Sequence, residues 1–398
     1  MINNEFFDIE EGVLNKYIGK NKKIIIPEGV KEIDRHVFSN CDFLEEIVLP
    51  DSIEEIDETN FEDCKNLRFN EVNGVRYLGN KNNPYLVLIS SDDIKECFVQ
   101  DGCKIIKGKA FFEHKTLLKV YIPSSVKYIG FMAFYDCEAL SEIIFSEGLN
   151  KIDSCAFYNC NIKKIQLPNS ITYIGSDAFS IMGLNEVVLP NNIKYIGSSA
   201  FTNNDLKFNE FEEGCYFGSN DNPYLCFVKP KNKDIKQINI HQDCNFIYSN
   251  AFLKCKKINS IKLPDGIIHI NNDAFRECDM LESVILPEGL KVIDENSFAS
   301  CARLKSINFP GNIIIESGAF IGCGLENIEL KNVIIGDNVF SGCNELKKVI
   351  IEGDCNLYGD YIFSECTSLE EIVLPKNLEK RFTLDEFEDC KNIKVKYL

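Results

Sequence analysis

The chain has 398 residues, of which 45% are apolar, and a formal net charge of −18 at pH 7. That apolar share supports an ordered fold rather than disorder, while the negative charge argues against a nucleic-acid backbone or an anionic membrane surface as partner. No apolar run approaches the roughly twenty residues of a membrane-spanning helix, and the acidic start MINNEFFDIEEG lacks both regions of a secretory signal.

In chain order, residues 1–27 form a cap-like unit whose core, GVLNKYIGKNKKIIIP, shields the first coil. From residue 28 a phrase recurs, seen as LEEIVLPDSIEEIDETNFEDC at 44–64 and LESVILPEGLKVIDENSFASC at 281–301. Its phenylalanine falls at Phe38, Phe61, Phe111, Phe134, Phe157, Phe179, Phe201, Phe252, Phe275, Phe298, Phe320, Phe340, Phe363 and Phe387. Most steps are 22–24 residues, one is 20, and two are 50 and 51. A fixed period of this size marks a solenoid of stacked coils, each too short to bury its apolar face alone.

Within one repeat, LESVILP predicts a short half-buried strand with Val284 and Leu286 inward and Ser283 and Ile285 outward. Pro287 ends the strand because it cannot donate into a ladder. EGLKVID forms a second extended leg, Gly130, Gly175, Gly197 or Asp294 marks the corner, and ENSFASC returns through a short helical turn. An isoleucine ladder through Ile129 and Ile293 lines the inner wall, replaced in the last two coils by Tyr358 and Phe382. Phe134, Phe157, Phe275 and Phe298 stand in a parallel ladder.

Eleven of the eighteen cysteines, Cys278 and Cys301 among them, sit three residues after the landmark phenylalanine. Other coils place His114, Met182 or Asn204 there. A metal ligand or disulfide partner does not tolerate that exchange, so these thiols are read as small buried hydrophobes. So many unpaired thiols, with the missing signal, favour the cytoplasm. A secreted or cell-surface location requires a signal outside this sequence.

The two long steps hold matching insertions. GVRYLGNKNNPYLVLI at 74–89 and GCYFGSNDNPYLCFV at 214–228 each predict strand, Asn-rich turn and strand. The organisation is one solenoid domain over 1–398: repeats at 28–66, a hairpin-bearing unit at 67–107, repeats at 108–205, a second hairpin-bearing unit at 206–248, and repeats with a terminal edge strand at 249–398. Lysines at 391, 394 and 396 blunt that edge against pairing. Tyr85 and Tyr224, in the shared phrase Asn-Pro-Tyr-Leu, serve as lids over their coils or as recognition knobs, with the lid preferred.

The phrases LKVYIPSSVKYIGFMAFYDC at 118–137 and LNEVVLPNNIKYIGSSAF at 184–201 resemble the BspA-like class of leucine-rich repeats, the type 5 repeat. The insertion YLGNKNNPYLVLI is similar to a unit of such proteins from gut-associated firmicute bacteria. The resemblance implies a leucine-rich-repeat solenoid, a curved right-handed stack of ~23-residue coils with a parallel β-sheet on one face and two hairpin insertions. Family members include surface adhesins that bind extracellular-matrix proteins or mediate coaggregation, which implies a non-catalytic protein-binding module.

Long solenoid faces commonly bind partners, so the outward strand positions are the expected surface. They include Glu46, Val48, Lys119, Tyr121, Glu142, Ile144, Lys164, Gln166, Glu186 and Val188, with Tyr85 and Tyr224 on the hairpins. The four histidines lie on separate coils, and neither a phosphate-binding glycine loop nor a H-E-x-x-H or G-x-S-x-G motif occurs. No catalytic residue, metal or cofactor is therefore assigned. The partner is expected to be a protein, with no nucleic acid and no membrane insertion. The alternatives are a structural scaffold or homodimer joined through an exposed end and, more remotely, an enzyme acting on polysaccharide.

Overall fold

Each regular coil contributes two short strands, and paired strands run parallel to their equivalents in an adjacent coil, the ladders being divided into several sheets. The computed structural model describes residues 6–379, 387, 390 and 393–398, so Phe382 and Lys391 lie outside the described residues. The chain divides into two compact units, Met1–Lys207 and Phe208–Leu398.

In the first unit, one ladder is built from the x-I-x strands. Lys23–Ile25 pairs with Glu46–Val48, Glu96–Phe98 with Lys119–Ile122 and then Glu142–Phe145, and Lys164–Gln166 with Glu186–Val188. A second ladder runs through Tyr128–Ile129, Lys151–Ile152, Tyr173–Ile174 and Tyr195–Ile196. The second unit repeats the scheme, with Ser260–Lys262, Ser283–Ile285 and Ser306–Ile307 in one sheet and nine strands in its other ladder. As the alternation predicts, Val284 and Leu286 are buried and Ile285 is exposed.

The return segment is not helical. Around Phe134, alternate amides close turns within the coil: Ala133 donates to Gly130 O, Tyr135 to Met132 O and Cys137 to Phe134 O, at 3.1, 3.1 and 3.3 Å. The amides between them reach the next coil, from Met132 to Ser154 O, Phe134 to Ala156 O and Asp136 to Tyr158 O, at 3.1, 2.7 and 2.9 Å. Residues two before and two after the phenylalanine take positive φ, 55° at Met132 and 57° at Asp136. That conformation breaks a helix and favours Asn, Asp and Gly, which explains Asn159, Asp177, Asn296 and Gly322 at these places. The return leg is thus a third inter-coil ladder. Corner glycines have a different reason from turn chemistry: a Cβ on Gly175 would stand 2.3 Å from Ser154 N of the preceding coil.

Inside these ladders the phenylalanines stack. Phe111–Phe134–Phe157 are 4.8 and 5.0 Å apart, and Phe252–Phe275–Phe298 are 4.7 and 4.9 Å apart, with interplanar angles of 8° or less. Phe227, from the second hairpin, extends the latter column at 5.0 Å from Phe252. Ile129 and Ile293 are fully buried. One expected rung is corrected: Leu357, not Tyr358, pairs with Ile335. Leu357 is buried and Tyr358 is half exposed, because this coil sets its rung six residues before its phenylalanine, Phe363, where Ile335 and Ile293 stand five before theirs.

The cysteines do more than fill space. Cys137, Cys278 and Cys301 donate from Sγ to the carbonyls of Phe111, Phe252 and Phe275, one coil back, at 3.0, 3.2 and 3.1 Å. Asn204 performs the same task, its Nδ2 donating to Phe179 O at 2.7 Å. Where Cys or Asn stands there, the position supplies a small donor to a buried carbonyl, and a thiol is the most apolar side chain that does so, whereas the buried Met182 fills the place without donating. All eighteen cysteines are free and all but Cys155 are buried.

Each hairpin is a three-stranded antiparallel meander, Asn70–Val72, Val75–Leu78 and Val87–Ser91 in the first unit, Asn209–Glu210, Gly214–Phe217 and Cys226–Pro230 in the second. The first strand of each meander was not legible. Its asparagine fastens the turn in both copies: Asn70 Nδ2 donates to Pro84 O at 2.8 Å and Asn209 Nδ2 to Pro223 O at 3.0 Å. At the amino end Phe7–Glu10 pairs antiparallel with Val13–Tyr17, which then enters the second ladder beside Glu32–Ile33.

Candidate interaction face

Strand geometry sends alternate side chains outward, so the first ladder of the first unit presents two columns to solvent. One alternates in charge. Lys23 meets Glu46 at 2.6 Å, Lys119 meets Glu142 at 2.8 Å and Lys164 meets Glu186 at 3.0 Å, each across one coil. The Glu142 carboxylate, and then the Tyr121 hydroxyl, hold the Lys119 ammonium above the ordinary lysine range. Exposed pairs of this kind set register and add little stability. Their consequence here is that the column neutralises itself.

The second column is mostly apolar. Ile25 and Val48 are register partners, followed after the hairpin by Phe98, Tyr121 and Ile144, with Gln166 and Val188 beyond. Phe98 is 55% exposed, Ile144 40% and Val188 42%. Phe98 and Tyr121 stack at 4.3 Å with 9° between their planes, and the Lys119 ammonium lies 4.7 Å from the Tyr121 centroid. The structure therefore gathers Glu46, Val48, Lys119, Tyr121, Glu142, Ile144, Lys164, Gln166, Glu186 and Val188 onto outward positions of one ladder type. Phe98 and Ile25 belong there too and were missed. The signal was present in Glu96-Cys97-Phe98, whose buried Cys97 takes the isoleucine position in a coil without the usual phrase.

Tyr85 and Tyr224 lie elsewhere. Tyr85 packs edge-on against Tyr77 at 5.5 Å, and its amide donates to Asn83 Oδ1 at 3.2 Å. Tyr224 stacks on His241 at 3.6 Å and lies 4.1 Å from Phe211. Both rings cover their own hairpins.

A second feature of the first unit is a cavity of about 280 Å³ lined by Glu32, Arg35, Glu55, Asp57, Tyr128 and Asp153, among others. It forms where the sheet ending at Glu55–Ile56 stops before the hairpin. The Tyr128 hydroxyl lies 2.5 Å from Asp153 Oδ2 and 3.1 Å from Glu55 Oε1, and Lys151 Nζ lies 3.2 Å from Glu55 Oε2. Burial, with Glu55 and Asp34 beside it, pushes the Glu32 carboxyl up. Tyr128, Asp153, Glu55 and Lys151 thus satisfy one another across the break in the ladder. Nearby, Lys107 Nζ donates to Glu58 O at 2.6 Å, and burial brings its pKa down to about 8.

The histidines do not converge on one site. His269 pairs with Asp294 at 2.9 Å inside the second unit, while His114 caps a local turn by accepting from Leu117 N at 3.1 Å. Among the described residues no group of three or more His, Cys, Asp or Glu could hold a metal ion, and no helix is long and apolar enough to cross a membrane.

The repeat geometry has counterparts. The family model for the BspA type leucine rich repeat region, in six copies, matches residues 2–82, 104–221, 226–334 and 313–397. Among solved structures, a leucine-rich repeat protein from Bacteroides ovatus is 22% identical, covering 97% of this chain and 94% of its own, with a TM-score of 0.39. The pneumococcal vaccine antigen PcpA is 18% identical over 98% of this chain and 95% of its own, with a TM-score of 0.37. A leucine rich cell surface protein from Faecalibacterium prausnitzii is 20% identical over 97% and 90%, with a TM-score of 0.30. A comparison with curated proteins gives no match. Leucine-rich-repeat solenoids generally serve protein–protein interaction and are generally non-catalytic. With parallel coils, a phenylalanine–cysteine core and a model match over most of its length, this chain belongs to the BspA-type leucine-rich repeat family.

Proposed function

We propose that the chain is a protein-binding module whose partner docks on the outward columns of the first ladder, centred on Phe98, Tyr121 and Ile144, in an adhesive role at a cell or matrix surface. The observation that supports this reading is the exposed aromatic–aliphatic column beside charges that already neutralise each other. Interfaces draw their energy from a few desolvated aromatic anchors inside a polar rim, and here Phe98 and Ile144 stand exposed with Tyr121 half-buried between them, while the flanking ions need no new partner. Phe98 and Tyr121 each spend one ring face on the other, which leaves less aromatic face for saccharide stacking.

Binding of the full chain to immobilised fibronectin, fibrinogen and collagen, read by biolayer interferometry, tests the proposal. Tyr121→Glu with Ile144→Glu is expected to weaken the captured interaction by about a hundred-fold, near 2.7 kcal/mol, without moving the melting temperature. Binding that the double variant leaves within two-fold of wild type refutes the face. Absence of binding to all three proteins refutes the matrix-adhesion reading.

A further inference from the structure

The strand Lys23–Ile25 has a neighbour on one side only. It pairs with Glu46–Val48, and no other strand among the described residues joins that sheet. The ladder bonds show which groups are used. Glu46 N donates to Lys22 O and Ile26 N donates to Val48 O, so residues 22, 24 and 26 face the next coil. Backbone groups alternate along a strand, so the N–H and C=O of Lys23 and Ile25 face the open side. The cap strands Val13–Tyr17 and Phe7–Glu10 cover the second ladder instead.

The edge has a chemical identity. Residues 13–27 carry Lys16, Lys20, Lys22 and Lys23 and no carboxylate, in a chain whose net charge is −18. All four lysines are exposed, as are Ile18 at 63% and Ile25 at 62%. The ladder itself shows what such a strand accepts. Lys-Ile-Ile at 23–25 lies beside Glu-Ile-Val at 46–48, Lys-Val-Tyr at 119–121 beside Glu-Ile-Ile at 142–144, and Lys-Ile-Gln at 164–166 beside Glu-Val-Val at 186–188. On its other side, Lys119 has Glu96 as its register partner. Lys119 thus has a glutamate on each side, whereas Lys23 has Glu46 on one side and, among the described residues, no strand on the other.

We propose that this open edge takes up an extended acidic segment of a partner protein as an added strand, with a carboxylate opposite Lys23 and an apolar residue opposite Ile25. Main-chain hydrogen bonds to Lys23 and Ile25 supply the affinity and the charge pattern supplies the choice of partner. The edge borders the same ladder type as the aromatic face, but it binds through the main chain of Lys23 and Ile25 and not through Phe98, Tyr121 or Ile144, so either can fail without the other.

The chain's own heptapeptide LEEIVLP, found at 44–50 and again at 369–375, is a suitable probe, because at 44–50 it places Glu45 on Lys22 and Glu46 on Lys23 at 2.6 Å each. Fluorescein-labelled LEEIVLP is titrated against the full chain by anisotropy, beside its charge-reversed form LKKIVLP. The acidic peptide is expected to bind about ten-fold more tightly than the basic one. Ile25→Pro, which removes an N–H the ladder does not use, is expected to abolish saturable binding at an unchanged melting temperature. Lys22→Glu with Lys23→Glu is expected to reverse the peptide preference, and this arm carries the test if the proline variant does not fold. Equal affinity for both peptides, or unchanged binding by Ile25→Pro, overturns the proposal. Concentration-dependent dimers of the unliganded chain that Ile25→Pro abolishes overturn it in favour of a second copy as occupant.

Discussion

Replacing Phe275 by alanine removes a ring that is fully buried and stacked on both sides, 4.7 Å from Phe252 and 4.9 Å from Phe298. Truncating a core phenylalanine to alanine costs about 3–5 kcal/mol. Each parallel ring contact adds about 0.5–1.5 kcal/mol beyond burial, so a ring with two such contacts belongs near the upper end, at about 4–5 kcal/mol. In a stack where each coil touches only its neighbours, the loss falls on two interfaces. Urea unfolding of the full chain, followed by circular dichroism, should show the lowered midpoint. Amide exchange should rise first around residues 252–298. An exposed ring on the return leg offers a control: Phe112, 40% exposed and stacked on Tyr135 at 5.3 Å, should cost roughly 1 kcal/mol or less when truncated, as one ring contact provides. A loss below about 1 kcal/mol at Phe275, or equal losses at Phe275 and Phe112, refutes the argument that buried stacking holds the coils together.

Three further outcomes are expected. Cys301→Ala leaves the Phe275 carbonyl without its thiol donor and should cost about 1–2 kcal/mol, most of it recovered by Cys301→Asn if Asn204 is a true substitute; urea midpoints decide. Ile181 is a β-branched residue held at φ 57° and 40% exposed, so Ile181→Gly should stabilise by about 1 kcal/mol, and a lower melting temperature would count against the strain. For Lys107, whose pKa falls to about 8 in the folded chain from an ordinary 10.5, the unfolded chain holds the extra proton between those values. Stability relative to Lys107→Met should therefore rise between about pH 8 and 10.5, by roughly 2–3 kcal/mol; parallel pH profiles for the two proteins would contradict the burial argument.

Much of the architecture was legible because a repeat turns each local preference into a column. Val284 inward and Ile285 outward follow from alternation, and the phenylalanine spacing predicts the stack. Failures came where the repeat changes length or the backbone conformation departs from common types. The regular spacing points to Tyr358 as a rung, but one extra residue between rung and phenylalanine in that coil moves the inward position to Leu357. The return leg resembles a helical turn in the sequence, since paired left-handed residues leave only a faint preference for Asn, Asp and Gly. The face was half legible: its regular members could be named, but Phe98 sits in a coil that lacks the phrase.

The sequence by itself determined the period, the inward ladders and the two hairpins, because burial alternates along a strand whatever the strand lies against. Only the tertiary structure decided which residues meet across coils. Lys119 and Glu142, or Cys301 and the Phe275 carbonyl, are more than twenty positions apart, and a shift of one residue in register would exchange inner and outer faces. Register also decided where the ladder stops, leaving the backbone of Lys23 and Ile25 turned outward.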